Sequence, residues 1–201
     1  MKKFKIILAS NSPRRKELLA GLDVPFEVNV LPGIDESYPD TLDAYDTAQY
    51  IACKKADAYR GLLAEEGNDE AVVLTADTVV IAPSAESHGG KAIVLGKPKD
   101  VEDAYAMLRL LSGKTHHVVT GVCLTTVEKQ RSFSVVTEVS FKRFSEAEIS
   151  YYIDHYKPFD KAGAYGIQEW IGYIGCTGMK GSYFNVMGLP VQRIYEELRL
   201  F

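Results

Sequence analysis

The sequence predicts a mixed α/β protein built on a twisted sheet, and three observations predict it. Short β-branched apolar runs alternate with stretches of helical apolar spacing, turn residues separate the two kinds, and no repeat or low-complexity tract interrupts the order. No long Gly/Ser/Pro linker divides the chain, so a single domain over residues 1–201 is expected.

The elements follow in order. Residues 4–9 form a short apolar strand; Ser-Asn-Ser-Pro then supplies a polar cap with Pro13 near the first helical position, and 14–22 continues as a helix that stops near Gly21. A second strand is predicted over 26–30, a loop with two prolines over 31–41, and a long helix over 42–63. The apolar run 71–82 is the next strand, with a kink expected where Asp77 ends Val72-Val73-Leu74-Thr75-Ala76. The polar stretch 83–91 contains Gly89-Gly90 and reads as a hairpin or surface loop leading into 92–95 and then Gly96-Lys97-Pro98. Asp100 caps a helix to about 111. Residues 116–126 and 132–141 read as a strand pair, Ser145-Glu146-Ala147-Glu148 opens a helix to 156 with capping-box spacing, and 189–198 is amphipathic.

Composition excludes several classes. With 46% hydrophobic and 25% charged residues in 201, the chain has enough apolar content for a sizeable core. A net charge of −4 gives no global pull toward nucleic acid or anionic membranes, so a polyanion must find a local positive cluster. Three widely spaced cysteines, Cys53, Cys123 and Cys176, suit neither a disulfide framework nor a CxxC site. The first apolar run ends at Ala9 before Arg14 and Arg15, too short for a signal peptide or a membrane span. A cytoplasmic protein without a membrane partner is expected.

The densest chemical signal is Ser10-Asn11-Ser12-Pro13-Arg14-Arg15, set between a strand and a helix. Small hydroxyl residues permit a close turn, the helix start presents unpaired N–H groups, and two arginines add fork-shaped donors, a combination suited to phosphate oxygens. A capped helix start with two surface arginines is the plain alternative. Asp77, placed at a strand end, is a candidate metal ligand or general base, with a structural hydrogen-bonding role as the alternative. Glu36 supplies a second carboxylate that could help to hold Mg²⁺. Lys54, Lys55, Lys97, Lys114 and Lys161 are candidate phosphate partners; Lys97 lies in a tight turn and Lys161 in the small-residue stretch Asp160-Lys161-Ala162-Gly163-Ala164-Tyr165-Gly166.

Other signals fail. Gly113-Lys114-Thr115 looks like the end of a P-loop, but Leu108 stands where that motif needs glycine and the preceding segment reads as helix. His116 and His117 face opposite sides of a strand and His88 and His155 are isolated, so no histidine zinc site forms. Cys53, on an apolar helical face, reads as a buried inert thiol.

Taken together, the motifs resemble the Maf family of nucleoside triphosphate pyrophosphatases, nearly end to end. The matching pieces are Leu8-Ala9-Ser10-Asn11-Ser12-Pro13-Arg14-Arg15, Asp35-Glu36, Lys55-Ala56, Ala76-Asp77-Thr78, Gly96-Lys97-Pro98 and Ser112-Gly113-Lys114. They continue through Asp160 to Gln168, Gly181-Ser182 with Asn185-Val186, and Gly188-Leu189-Pro190. The resemblance implies a Maf/inosine-triphosphatase-like fold, a twisted mixed sheet flanked by helices in two lobes around a central cleft. It implies hydrolysis between the α and β phosphorus atoms of a nucleoside triphosphate with a divalent cation, Mg²⁺ or Mn²⁺.

By the same resemblance, Asp77 is the catalytic carboxylate, aligning or deprotonating the attacking water, and with Glu36 forms the metal-holding pair. Lys55 and Lys97 join them as catalytic residues that offset the charge of the leaving pyrophosphate, and Ser10, Ser12 and Arg15 contact phosphate. Arg14, Thr78 and Gln168 stand at the specificity positions and resemble the dTTP/UTP branch; a glutamine amide carries both donor and acceptor for the imide edge of uracil. CTP and modified pyrimidine triphosphates stay open as substrates. So do two other readings: a nucleotide-binding regulator of cell division with weak hydrolysis, and a pyrophosphatase for modified purine triphosphates such as 7-methyl-GTP. The stretch between Asp77 and Lys97 is longer than the family's compact hairpin, which marks 85–90 as an insertion and leaves a homodimer open as a partner. Nucleic acid is not an expected partner.

Overall fold

In the computed structural model, residues 5–65, 70–83 and 92–201 are described. Strand β1 (Lys5–Leu8) leads into helix α1 (Pro13–Ala20), then β2 (Phe26–Val28), α2 (Thr47–Ala58), the short α3 (Arg60–Leu63) and the long β3 (Ala71–Ala82). There follow β4 (Ile93–Leu95), α4 (Val101–Leu111), β5 (Thr115–Thr125), β6 (Gln130–Phe141) and α5 (Glu146–Tyr156). A 3₁₀ turn (Ala162–Ala164), α6 (Trp170–Gly175), β7 (Cys176–Lys180), α7 (Tyr183–Met187) and α8 (Val191–Leu198) complete the chain. The fold is mixed α/β, a seven-stranded sheet with helices, in the order β2-β1-β3-β5-β6-β7 with β4 also paired to β3. It is mixed because β1 pairs in parallel with β2 and β3, whereas β4 on β3 and β7 on β6 are antiparallel.

The chain divides into two compact units. The first comprises Met1–Asp77, Thr120–Val135 and Gly188–Phe201; the second comprises Thr78–Val119 and Val136–Met187.

In the first unit, α2 packs on the sheet through an alanine stripe. Ala48, Ala52 and Ala56 recur every four residues and are fully buried, the spacing of one helix face. The helix comes so close to β5 that a Cβ on Gly121 would lie 2.2 Å from the Gln49 amide nitrogen. Thr75 locks the register: its buried hydroxyl donates to the Ala52 carbonyl at 2.7 Å. A second cluster, Ile7, Tyr59, Leu63, Ala71 and Val73, covers the other part of β1 and β3. The long helix expected over 42–63 instead begins at Thr47 and breaks at Tyr59. The cause is a long-range contact, since the buried Tyr59 hydroxyl donates to the Asn29 carbonyl at 2.9 Å and accepts from the Leu31 N–H at 3.0 Å.

Cys53 also departs from expectation. It is half-buried and packs against a small cluster of Ala52, Ala56 and Cys123.

In the second unit, one core joins Val80, Leu108, Leu111, Val139, Phe141, Tyr152, Ile153 and Ile171. Local signals hold well here. Asp100 accepts from the Asp103 N–H at 2.8 Å, and Ser145 and Glu148 form the expected capping box of α5. Helix α4 does precede Gly113, as the rejection of a P-loop requires. The insertion expected over 85–90 lies outside the described residues.

Candidate active site

Strand β1 ends at Leu8, paired with Leu74, whereas β3 runs on without a break to Ala82. Asp77 therefore stands inside a continuous strand, not at a kinked strand end. What makes a carboxylate tolerable there is the end of the neighbouring ladder. The β1 pairing stops three residues before Asp77, so the backbone and side chain of this stretch take partners from other elements.

Helix α2 supplies the first partner. Thr75 and Asp77 share a face of β3, and Ala52 and Lys55 lie one turn apart on α2, so the Thr75–Ala52 hydrogen bond brings Lys55 opposite Asp77. The Lys55 ammonium lies 2.8 Å from Asp77 Oδ1 and 3.1 Å from Glu36 Oε1. Lys55 and Asp77 are about equally shielded, with side chains 14% and 15% exposed, while Glu36 is 55% exposed. The adjacent Lys54 holds the same loop, contacting Asp35 at 2.6 Å and accepted by Ser37 O at 2.9 Å. Lys54 and its hydrogen-bonded neighbour Ser37 keep the Asp35 carboxyl far below its usual range. Two consecutive lysines thus grip two consecutive acids, a relation that sequence spacing did not expose. Lys54, a candidate phosphate partner, is committed to this grip.

The Ser10–Arg15 turn belongs to the same unit. Ser10 Oγ accepts from the Ser12 N–H at 3.2 Å, and Ser12 Oγ caps α1 by accepting from the Arg15 N–H at 3.4 Å. Each hydroxyl, used as an acceptor, keeps its hydrogen for donation. Arg15 differs from the fork expected for phosphate. Its Nη1 donates to the Ala76 carbonyl at 2.7 Å and its Nε to the Gly188 carbonyl at 2.8 Å. It clamps the backbone beside Asp77. Burial pushes its pKa below the usual arginine value, Arg14 adds to that, and the charges of Asp77 and Glu36 oppose it. Arg14 is half-buried.

The remaining candidates lie in the second unit. Thr78 follows Asp77 along β3 and is partly buried; Lys97 is exposed; Gln168 is partly buried. The Gly163 N–H donates to the Gly96 carbonyl at 3.0 Å, which ties the Lys97 turn to the segment leading to Gln168. Lys161 is not a solvent-facing phosphate partner: it is 8% exposed and contacts Asp160 at 2.8 Å and Glu169 at 3.0 Å. Lys114 is exposed in the turn before β5.

Asp77 and Glu36 both reach one cationic atom, Lys55 Nζ. Their hard carboxylate oxygens are the donor type that would suit a divalent cation.

A serine-rich strand-to-helix turn, set in one unit with a carboxylate pair and its lysine, defines an α/β protein equipped for an anionic phosphate ligand. The family model described as Maf-like protein matches residues 5–201, and the chain belongs to that family. It is 59% identical to a "dTTP/UTP pyrophosphatase" of Phocaeicola vulgatus over 99% of this chain and 97% of the relative. It is 54% identical to one of Bacteroides fragilis over 98% and 96%, and 52% identical to one of Parabacteroides distasonis over 100% and 98%. Among solved structures, the Staphylococcus aureus Ham1 protein covers 68% of this chain and 71% of its own, with 15% identity and a TM-score of 0.42.

Proposed function

We propose that this chain, acting as one functional domain over residues 1–201, hydrolyses dTTP and UTP to the monophosphate and pyrophosphate. The three relatives, each matched over nearly its whole length, carry that activity in their names. The observation that carries the chemistry is Asp77, shielded in β3 and held at 2.8 Å by Lys55. In the proposed reaction an Asp77 oxygen orients a water and accepts its proton as the water oxygen bonds to the α phosphorus. The bond from that phosphorus to the bridging oxygen breaks, and pyrophosphate leaves with the electron pair.

Lys55 and Lys97 offset charge on the leaving group, and the hydroxyls of Ser10 and Ser12 donate to phosphate oxygens. Arg15 holds the Ala76 carbonyl, and with it the strand that carries Asp77. Asp77 and Glu36 would hold Mg²⁺ or Mn²⁺, which when bound would neutralise triphosphate charge. Arg14, Thr78 and Gln168 select the base, the Gln168 amide matching the alternating acceptor and donor groups of uracil or thymine. The compartment proposed is the cytoplasm, in keeping with the free thiols of Cys53, Cys123 and Cys176. Among the described residues no helix is long and apolar enough to cross a membrane.

Product analysis tests this reading. The protein is incubated with Mg²⁺ or Mn²⁺ and each of dTTP, UTP, CTP, GTP and 7-methyl-GTP, with a chelator control, and pyrophosphate is separated from orthophosphate. Pyrophosphate formed mainly from dTTP and UTP is the expected result. Orthophosphate, or no product from any nucleotide, overturns it and favours a nucleotide-binding regulator. Preference for 7-methyl-GTP moves the assignment to the modified-purine branch.

A further inference from the structure

The second unit contains a polar chain, anchored on the buried Tyr152 and Lys161, that the proposed reaction leaves unused. Tyr152, on α5 and fully buried, donates its hydroxyl hydrogen to Glu169 Oε2 and accepts from the Gly166 N–H at 2.9 Å. The other Glu169 oxygen contacts Lys161 Nζ at 3.0 Å, and Lys161 also meets Asp160 at 2.8 Å. Burial and the Glu169 carboxylate both push the Tyr152 hydroxyl pKa far up, so it serves as a neutral donor.

The cost of such an arrangement is informative. Withdrawing an ammonium and a carboxylate from water returns little net stability, and an apolar set of the same volume would serve packing as well. What a hydrogen-bonded ion pair supplies is one fixed geometry. Here the fixed object is the turn Gly166–Glu169, closed by the Glu169 N–H on the Gly166 carbonyl at 3.0 Å. Gln168 lies inside that turn. A Cβ on Gly166 would sit 3.0 Å from Gln168 Nε2 and 2.8 Å from Glu169 Cδ, so both side chains fold over the glycine. The approach to this turn is equally constrained, since Gly163 and Ala164 both have left-handed backbones, with φ of 69° and 58°. Left-handed alanine is strained and persists only when its surroundings hold it.

An amide discriminates between bases only when its oxygen and nitrogen are held apart in a known order. Turned by half a rotation, it presents a donor where an acceptor belongs.

We propose that Tyr152, Glu169 and Lys161 are positioning residues for base selection, holding the 166–169 turn so that the Gln168 amide meets the pyrimidine in one orientation. This rests on the reading of Gln168 as the base-selecting residue. None of the three touches the phosphates; their loss acts on KM for the preferred nucleotide and on discrimination, and leaves the chemical step in place.

The test compares wild type with Tyr152→Phe, Glu169→Gln, Glu169→Ala and Gln168→Ala, measuring kcat and KM for UTP and GTP. Tyr152→Phe keeps the ring, which stacks on Tyr156 at 5.1 Å, and removes only the hydroxyl. It is expected to lower the UTP-to-GTP ratio of kcat/KM by about tenfold through a raised KM for UTP, with kcat for UTP within about twofold. Glu169→Gln, still an acceptor for Tyr152, is expected to retain more discrimination than Glu169→Ala. If Tyr152→Phe does not fold, the two Glu169 variants carry the comparison. A ratio unchanged in the Tyr152 and Glu169 variants while Gln168→Ala collapses it overturns the positioning role. A ratio unchanged in Gln168→Ala overturns the base-selection reading itself, and the positioning role with it.

Discussion

Lys55 Nζ lies 2.8 Å from Asp77 Oδ1, and the pairing is set from a distance by a buried threonine two residues away on the same strand face. If Asp77 takes the proton of the attacking water, Asp77→Asn keeps the side-chain shape and a hydrogen-bonding oxygen for Lys55 but loses the base. Turnover is expected to fall by about 10²–10⁴ with the circular dichroism spectrum unchanged. Pyrophosphate release within about threefold of wild type would remove Asp77 from the mechanism.

Gly121 is the point on which this pairing depends mechanically. A Cβ there would meet backbone atoms of α2, the Gln49 nitrogen at 2.2 Å and the Ala48 carbonyl carbon at 2.3 Å, and backbone cannot swing aside as a side-chain tip can. Gly121→Ala is expected to cost about 3 kcal/mol and to reduce turnover by displacing Lys55 from Asp77. The control is Gly61→Ala on α3, where a Cβ meets nothing within 4 Å. Urea unfolding should leave the control at or above wild-type stability; equal midpoints for the two variants would refute the close contact.

Base selection gives a third prediction. Gln168→Glu retains length and shape but replaces the amide donor by an acceptor, so on the proposed role one of two complementary hydrogen bonds to an imide edge would be lost. The UTP-to-GTP ratio of kcat/KM is expected to drop by about tenfold or more, with a smaller change in kcat for UTP. An unaltered ratio would remove Gln168 from base selection.

Features written in adjacent residues were legible from sequence. The caps at Asp100 and Ser145, the strand 71–82, and the serine-arginine turn need only neighbours along the chain. Features made by distant partners were not. Tyr59 breaks the helix because of Asn29 and Leu31, and Asp77 is accommodated mid-strand because β1 ends and Lys55 arrives. Strand β7, Cys-Thr-Gly-Met-Lys, carries no alternation to announce it and is a strand through its pairing with β6. The same limit applied at the site: Glu36 and Lys55 were nameable as candidates, whereas the double grip of Lys54 and Lys55 on Asp35 and Glu36 exists only once α2 is placed.

His116 makes stability depend on pH. The residue is 1% exposed, its ring packed on Phe141 and Tyr165, with Nε2 sharing a 2.8 Å hydrogen bond with the Tyr165 hydroxyl and Nδ1 lacking a partner among the described residues. Burial, with a smaller contribution from His117, lowers its pKa from 6.5 to about 4. Above pH 6.5 the imidazole is neutral in folded and unfolded chains, and it contributes no slope. Between pH 6.5 and about 4 the unfolded chain takes up a proton that the folded chain refuses, so stability falls as the solution is acidified. By pH 5 the loss amounts to about 2 kcal/mol. In His116→Gln the side chain can still bond Tyr165 but cannot titrate, so the drop in unfolding free energy between pH 7.5 and pH 5 should be smaller by that amount. Other titrating groups cancel in this difference of differences, and identical pH dependence in the two proteins would show that the imidazole is not held neutral by burial.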